Sequence, residues 1–514
     1  MPEGRTDRRA IIAGAGLLVG AAAASAIWDR LRAGSRTVAR EIVDPGLAGW
    51  MPSPSTGPPH RLAVTEVDIT PGHGVSMTGY GYQPRLSNGR CARRLRAQCA
   101  LLRDPDGRVL VLVRADVGAL TYDVYRSIVD TLVTEKIIAG RADFMLNISH
   151  THSGPALGLH PDPRVLTHLP EDGLPGVQEV ARAFTANVLE LVRAAHRATA
   201  VPVTLGHATG SASVGITRWT SEAASPTELP VLVARHAETG KLEAIIYSYP
   251  CHPVCRGNDA VFDADFCGVA STMIANEMRA PAFYLQGTGG DIDPAGQGHG
   301  ETRVHFVGAA LAEAVVKTVR EATFTRLRSV AEAWIEEVEL PFAPDLSRHA
   351  VVSALRERYH ERILTIEEGP TKAGAVRRHA ELMVRLIDEG RLPRGLEMTV
   401  QRWDLGGLRI VALSHEVVHQ YTTLVRRMAG AEGVWVLGYT NHVESYLPTD
   451  AGLRSGGYAA GWNEASGRHF PGEAGSVMAY GWPAPLRSTL DATPELPGSE
   501  GLVLDRVARL MRAG

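Results

Sequence analysis

The sequence predicts an α/β fold, and three observations carry that prediction. Short apolar runs at residues 62–69, 97–102 and 109–113 are each closed by turn residues, as strands are. The run 109–113 passes through Arg114-Ala115-Asp116 into residues 121–138, whose apolar positions recur with helical periodicity; strand, loop and helix thus follow in the order of α/β packing. The composition, 45% hydrophobic and 21% charged over 514 residues, is that of an ordinary globular chain and excludes bulk disorder and an all-membrane architecture. One or two domains are expected, because a large α/β enzyme can carry such a length on one composite core.

Residues 1–26 read as a targeting segment. Arg8-Arg9 precede the Ala- and Gly-rich apolar run 10–26, as in a twin-arginine export signal, and Ala24-Ser25-Ala26 offers a cleavage point. An uncleaved anchor is the alternative, since the run barely reaches the roughly 20 residues that span a bilayer. Either way the protein is expected to be exported by the twin-arginine machinery to the periplasm or beyond, and an anchored form would sit at a membrane surface. Residues 27–57 read as a Pro/Gly-rich linker and 58–514 as the catalytic domain.

Within that domain the glycine-rich stretch 72–81 follows the first strand, and three later strand-like runs end in candidate chemistry. Residues 144–148 lead to His150, residues 244–249 to His252, and residues 282–285 to the loop 287–294; in open α/β sheets ligands favour such carboxyl ends. Residues 345–392, rich in Glu, Arg, Leu and Ala, predict two or more surface helices as a structural excursion. Strand character returns at 408–413 and 433–437, separated by a helix at 416–428; a glycine-rich stretch at 439–482 and an amphipathic helix at 502–511 close the chain. No internal repeat is evident.

A net charge of −3, from 53 Lys+Arg and 56 Asp+Glu, leaves no basic field for a polyanion, so nucleic acid is excluded and a small or amphiphilic substrate fits better. Five cysteines, Cys91, Cys99, Cys251, Cys255 and Cys267, cannot all pair within one chain, and at most two internal disulfides are available to an exported protein. Cys251 and Cys255 bracket His252, yet no second Cys/His pair follows at finger-like spacing. Both therefore read as small buried residues rather than zinc ligands.

His150-Thr151-His152-Ser153-Gly154-Pro155 ends the strand 144–148 with two imidazoles. On a strand, residues i and i+2 share a face, so both rings could line one cavity, while Gly154 and Pro155 stop the ladder. A polar strand end with solvated or hydrogen-bonded imidazoles is the alternative for this motif alone. A second string, His415-Glu416-Val417-Val418-His419, fits the His-Glu-x-x-His pattern of metalloproteases, in which two histidines one helical turn apart hold zinc. That reading leaves His150, His252 and residues 291–294 without a role. Glu416 at the entry of the helix 416–428 would be favourable without any metal. Delivered from a core by the apolar run 408–413, it reads better as a ligand, because an unpaired inward carboxylate is costly.

Four motifs now stand in order: His150-Thr151-His152-Ser153-Gly154-Pro155, Cys251-His252-Pro253, Gly289-Gly290-Asp291-Ile292-Asp293-Pro294, and Ser414-His415-Glu416 with residues 441–446. Together with Val67-Asp68-Ile69-Thr70-Pro71 and Met77-Thr78-Gly79-Tyr80, they resemble the neutral/alkaline non-lysosomal ceramidase family, over roughly residues 61 to 485. The resemblance implies a mixed-sheet α/β zinc hydrolase domain in which His150, His252, Glu416 and Tyr446 hold Zn²⁺. It also implies that His152 assists proton transfer and that Arg218, in Ile216-Thr217-Arg218, orients the substrate. Two imidazoles, a carboxylate and an open position suit a catalytic zinc, and a tyrosine can be a weaker further ligand. Taken alone, Tyr446 reads as a half-buried tyrosine with a bonded hydroxyl, Arg218 as a solvated loop cation, and His152 as an imidazole that orients a neighbour.

Two departures bear on specificity. Where the family carries a serine, this chain has Asp293, whose carboxylate could take a proton from zinc-activated water or bind a polar substrate group; a capped turn is the alternative. The chain also ends soon after the matched region, so the C-terminal β-sandwich domain of the ceramidases is expected to be missing. The function expected is that of an exported zinc-dependent amidohydrolase cleaving a linear amide, such as an N-acyl lipid, with His152 or Asp293 managing protons and zinc, Tyr446 and Arg218 stabilising the oxyanion. A metal-containing ligand-binding protein of the same fold that has lost turnover is the rival class.

Overall fold

Among the described residues the first sheet has nine strands, eight of them in the order β8-β7-β6-β5-β1-β2-β3-β4. In chain order these are β1 (His60–Asp68), β2 (Arg96–Arg103), β3 (Val109–Ala115), β4 (Phe144–Ile148), β5 (Val201–Ser211), β6 (Glu228–His236), β7 (Leu242–Tyr249) and β8 (Ala282–Gln286); the short strand Thr325–Arg326 adds to β5. The computed structural model describes residues 58–72, 75–80, 85–159, 174–218, 225–369, 372–430, 433–460 and 476–513. The expected targeting segment 1–26 and linker 27–57 lie outside the described residues.

All neighbours along this order pair antiparallel except the outermost pair at each edge, β3 with β4 and β7 with β8, which are parallel. Parallel pairs need a crossover, and a helix supplies it each time: Tyr122–Thr134 between β3 and β4, and Asp265–Met278 between β7 and β8. The first of these buries Val124, Tyr125, Ile128, Val129 and Leu132, a stripe at helical spacing that lies against β3 and β4. All five residues of β4 are buried, as expected for a strand covered on both sides.

Although β4 and β8 are opposite edges, one side chain joins them. Asn147 accepts a hydrogen bond from the Gln286 backbone N at 2.7 Å and donates to the Gln286 and Gly438 carbonyls at 3.2 and 2.9 Å. A fully buried side-chain amide thus stands in for a peptide group in a ladder that backbone alone does not form. The loops that follow β4 and β8 are thereby brought side by side.

A second sheet runs β9-β10-β11-β12, formed by β9 (Glu332–Pro341), β10 (Gly395–Asp404), β11 (Arg409–Leu413) and β12 (Trp435–Leu437), antiparallel except for β11 with β12. Leu110, Leu112, Phe283 and Leu285 of the first sheet share a core with Trp403, Ile410, Trp435 and Leu437 of the second. The helical excursion predicted at 345–392 is the pair His349–Thr365 and Lys372–Asp388, inserted between the paired strands β9 and β10. It is more than a surface feature, since Tyr359, Ala380, Met383 and Leu386 share a core with Leu340, Leu396 and Met398.

One predicted element is corrected. The helix expected at 416–428 begins only at Gln420, as Gln420–Ala429, and Glu416–Val417 is a short strand parallel to Tyr446–Leu447, with Glu416 opposite Tyr446. The Glu416 N–H goes to the Ser445 carbonyl at 2.9 Å, so that segment's backbone is committed to a ladder before a helix can start. The pairs β5–β6 and β9–β10 and the helices Leu174–Arg197, Asp265–Met278 and Glu301–Glu321 were not predicted. All five cysteines are free, and Cys251 and Cys255 are buried, as their sequence context indicated. Among the described residues no helix is long and apolar enough to cross a membrane.

Candidate metal centre

Loops beyond β4, β7 and β8 and the short strand after β11 meet at one place. His150 stands two residues past the end of β4 with φ of 63°, in the left-handed region. Its ring is therefore aimed by a turn and not by the pleat, which corrects the expectation that His150 and His152 share a strand face. The Nδ1 of His150 donates to the Gly118 carbonyl. His152 ties the neighbouring loop in, its backbone N–H reaching the Pro253 carbonyl at 3.2 Å, and its ring packs edge-on to Tyr80 at 5.1 Å and directly against Gly79, where a Cβ would overlap the imidazole.

His252 follows β7, its backbone N–H bonded to the Ile292 carbonyl at 2.9 Å and its Nδ1 donating to the Gly289 carbonyl at 2.7 Å. The Gly289-Gly290 pair is a packing requirement. A Cβ on Gly289 would lie 2.8 Å from the Cys251 nitrogen, and one on Gly290 would lie 2.7 Å from the Glu416 carbonyl oxygen. Only glycines let this loop reach His252 on one side and the Glu416 strand on the other.

The functional atoms converge. Oε2 of Glu416 lies 2.9 Å from His252 Nε2 and 3.2 Å from His150 Nε2; His152 Nε2 lies 3.2 Å from His150 Nε2, and the Tyr446 hydroxyl 3.3 Å from His252 Nε2. The three imidazoles have ligand atoms within 4.8 Å of one another and could hold a metal ion. The donor set fits one well. A carbonyl can only accept, so both Nδ1 atoms of His150 and His252 carry hydrogen, and each ring turns its Nε2, the atom that would ligate a metal, toward a carboxylate oxygen. Two imidazole Nε2 atoms and a carboxylate oxygen aimed at one point are a zinc donor set by chemistry.

Electrostatics reinforce this. Burial alone would push the Glu416 carboxyl up, but His150 and His252 beside it hold it well below the usual carboxylate range. Burial and the charges of His150 and His252 push His152 well below the ordinary imidazole value, and burial with Glu416 pushes Tyr446 well up. Tyr480 donates to Glu416 Oε1, and the Tyr439 hydroxyl lies 3.5 Å from Oε2.

Arg218 and Asp293 flank this cluster. Nη2 of Arg218 meets Asp293 Oδ1 at 2.8 Å, while Nη1 donates to the Tyr446 hydroxyl at 3.2 Å. Asp293 thus contacts the centre through Arg218 and Tyr446. Its carboxyl, raised by burial, is brought below its ordinary value by Arg218.

The metalloprotease reading of residues 415–419 is corrected by the geometry. Those residues are not helical: His415 has φ of 72°, its Nε2 donates to the Glu397 carbonyl at 2.8 Å, and its Nδ1 accepts from the Glu444 N–H at 3.2 Å. The His419 Nδ1 instead meets the Thr288 hydroxyl at 3.2 Å. The two rings therefore do not share a metal with Glu416.

Sequence reasoning missed Asn147, Tyr439 and Tyr480. Asn147 did carry a signal, an amide in the middle of the apolar run Phe144-Met145-Leu146-Asn147-Ile148, where a buried polar group must find partners. The tyrosines carried none, since Tyr480 reaches Glu416 across 64 positions.

No protein-family model and no curated protein matches the chain. Solved structures do share its fold. The neutral ceramidase from Pseudomonas aeruginosa superposes with a TM-score of 0.62 at 17% identity, covering 88% of this chain and 75% of that one. A ceramidase complexed with C2 gives a TM-score of 0.62 at 15% identity over the same 88% and 75%. At such identities the likeness is one of fold, and it bears out the mixed-sheet α/β architecture of that type.

Proposed function

We propose that this chain is a zinc-dependent amidohydrolase acting on an N-acyl lipid or a related linear amide. The observation that carries the reading is the convergence of the His150 and His252 Nε2 atoms on the Glu416 carboxylate, all three residues buried, on a fold shared with two ceramidases. His150, His252, Glu416 and Tyr446 would hold the ion. Bound zinc supplies Lewis acidity, polarising a carbonyl and bringing the pKa of water to about 7.

The protein's own groups then have defined tasks. His152 stays neutral because burial and its neighbours hold its pKa down; its Nε2 takes a proton from the attacking water and returns it to the leaving amine. Arg218 donates to the Tyr446 hydroxyl, so positive charge is preorganised where an oxyanion develops. Asp293 holds Arg218 in place. Residues 1–26 would carry the chain out by the twin-arginine route.

A second reading replaces Tyr446 by His152 as the fourth ligand, favoured by the 3.2 Å between His152 Nε2 and His150 Nε2. His152→Ala separates the two: retained metal with lost turnover supports the proton-transfer role, and lost metal supports ligation. The reading as a whole is tested by incubating the chelated and the zinc-reconstituted chain with a panel of N-acyl amides. Zinc-dependent release of free fatty acid is expected; tight binding without cleavage in either state would support the ligand-binding rival.

A further inference from the structure

Among the described residues, the cations near Asp293 and His152, namely Arg218, Arg303 and Arg85, are all engaged. Arg218 gives Nη2 to Asp293 at 2.8 Å and Nη1 to the Tyr446 hydroxyl and the Gly290 carbonyl at 3.2 and 3.3 Å. Arg303 gives its Nη atoms to the carbonyls of Pro294 and Gly296 at 2.6 and 3.0 Å and to that of Gly298. Arg85, under His152, donates to the His152 and Thr78 carbonyls. Asp293 differs from them. Only its Oδ1 is bonded among the described residues, and its side chain is 38% exposed, so a carboxylate oxygen remains available to an incoming group. On this ion pair, the atom left to meet an incoming group is therefore a carboxylate oxygen of Asp293.

Resting on the amidohydrolase reading, we infer that Asp293 is a charge gate that selects amides whose amine portion is neutral or cationic and disfavours those carrying a carboxylate. The acyl chain of a lipid amide is uncharged, so discrimination by charge falls on the amine portion. An acidic group there faces repulsion from Asp293, and the nearest guanidinium, Arg218, is already held by that same carboxylate. Arg218 is the natural partner of a carboxylate, through two parallel N–H bonds, once it is released. The arginine's pull keeps Asp293 ionised at neutral pH.

The test compares an N-acyl glycine with the matching uncharged N-acyl ethanolamine on the full-length chain and on Asp293→Asn, Asp293→Ser and Asp293→Glu. The readout is the ratio of the two kcat/KM values. In Asp293→Asn and Asp293→Ser that ratio should move toward the acyl glycine by roughly tenfold or more, while Asp293→Glu keeps the parent's preference. A ratio that stays at the parent value in both Asn and Ser variants overturns the gate, as does a Glu variant that shifts as far as Asn. Affinities of the same two amides, measured by calorimetry with a chelator present, give the ratio without turnover. A chain that cleaves neither amide yet shows the affinity shift refutes the proposed hydrolysis alone; a chain that cleaves either amide without any shift refutes the gate alone.

Discussion

Two histidine strings in this chain look equally like metal motifs, and the fold treats them oppositely. In His150-Thr151-His152 a left-handed residue at His150 turns one ring toward the other, and their Nε2 atoms come within 3.2 Å. In His415-Glu416-Val417-Val418-His419 a left-handed residue at His415 turns the ring away, to the Glu397 carbonyl, and leaves only Glu416 facing the centre. The spacing of a motif has meaning only on the backbone its chemistry assumes: the metalloprotease string needs a helix, and here the segment is a strand paired with Tyr446–Leu447.

Variants can break or sharpen that contrast. The largest effect is expected at the converging string and its partner loop: His150→Ala or His252→Ala should lose bound zinc and cut kcat/KM by roughly 10³-fold or more, because a metal's several kcal/mol of charge stabilisation goes with it. Circular dichroism should show the fold intact; zinc retained at the parent level would mean the ligands are elsewhere. Next, Asn147→Leu asks whether convergence depends on the joined sheet edges. It strands the Gln286 N–H and two carbonyls in the core and should cost about 3 kcal/mol of unfolding free energy in urea. A loss under about 0.5 kcal/mol would mean that the edge contact contributes nothing.

On the diverging string, His415→Ala should lower stability by about 2 kcal/mol, through a cavity and an unmet Glu397 carbonyl, while the zinc stays. Tyr480→Phe removes the hydroxyl that orients Glu416 and should weaken zinc affinity about tenfold in a competitive chelator titration. The smallest effect is expected at His419→Ala, within about 1 kcal/mol of parent stability and with zinc affinity unchanged, since among the described residues its ring bonds Thr288 near the helix start and not the metal cluster.

How much of this was legible in the sequence follows from the range of each interaction. The strand ends before His150 and His252 and the glycines of residues 289–290 were readable, because local apolar runs and turn residues set them. The convergence was not. It depends on the Asn147 amide bridging β4 and β8, on Glu416 pairing beside Tyr446, and on Tyr480 arriving from a distant segment, all contacts chosen by tertiary packing. The helix misread at 416–428 has the same origin, as ladder bonds to Ser445 and Leu447 overrode local helical periodicity.

The central claim is that His150 and His252, and not the histidines of the second string, build the metal site with Glu416, and metal content in two double variants addresses it directly. Each chain is loaded with zinc, dialysed, and assayed by inductively coupled plasma mass spectrometry. The His150→Ala/His252→Ala chain should carry no zinc, and the His415→Ala/His419→Ala chain should carry the parent's full complement; the reverse pattern would contradict the account.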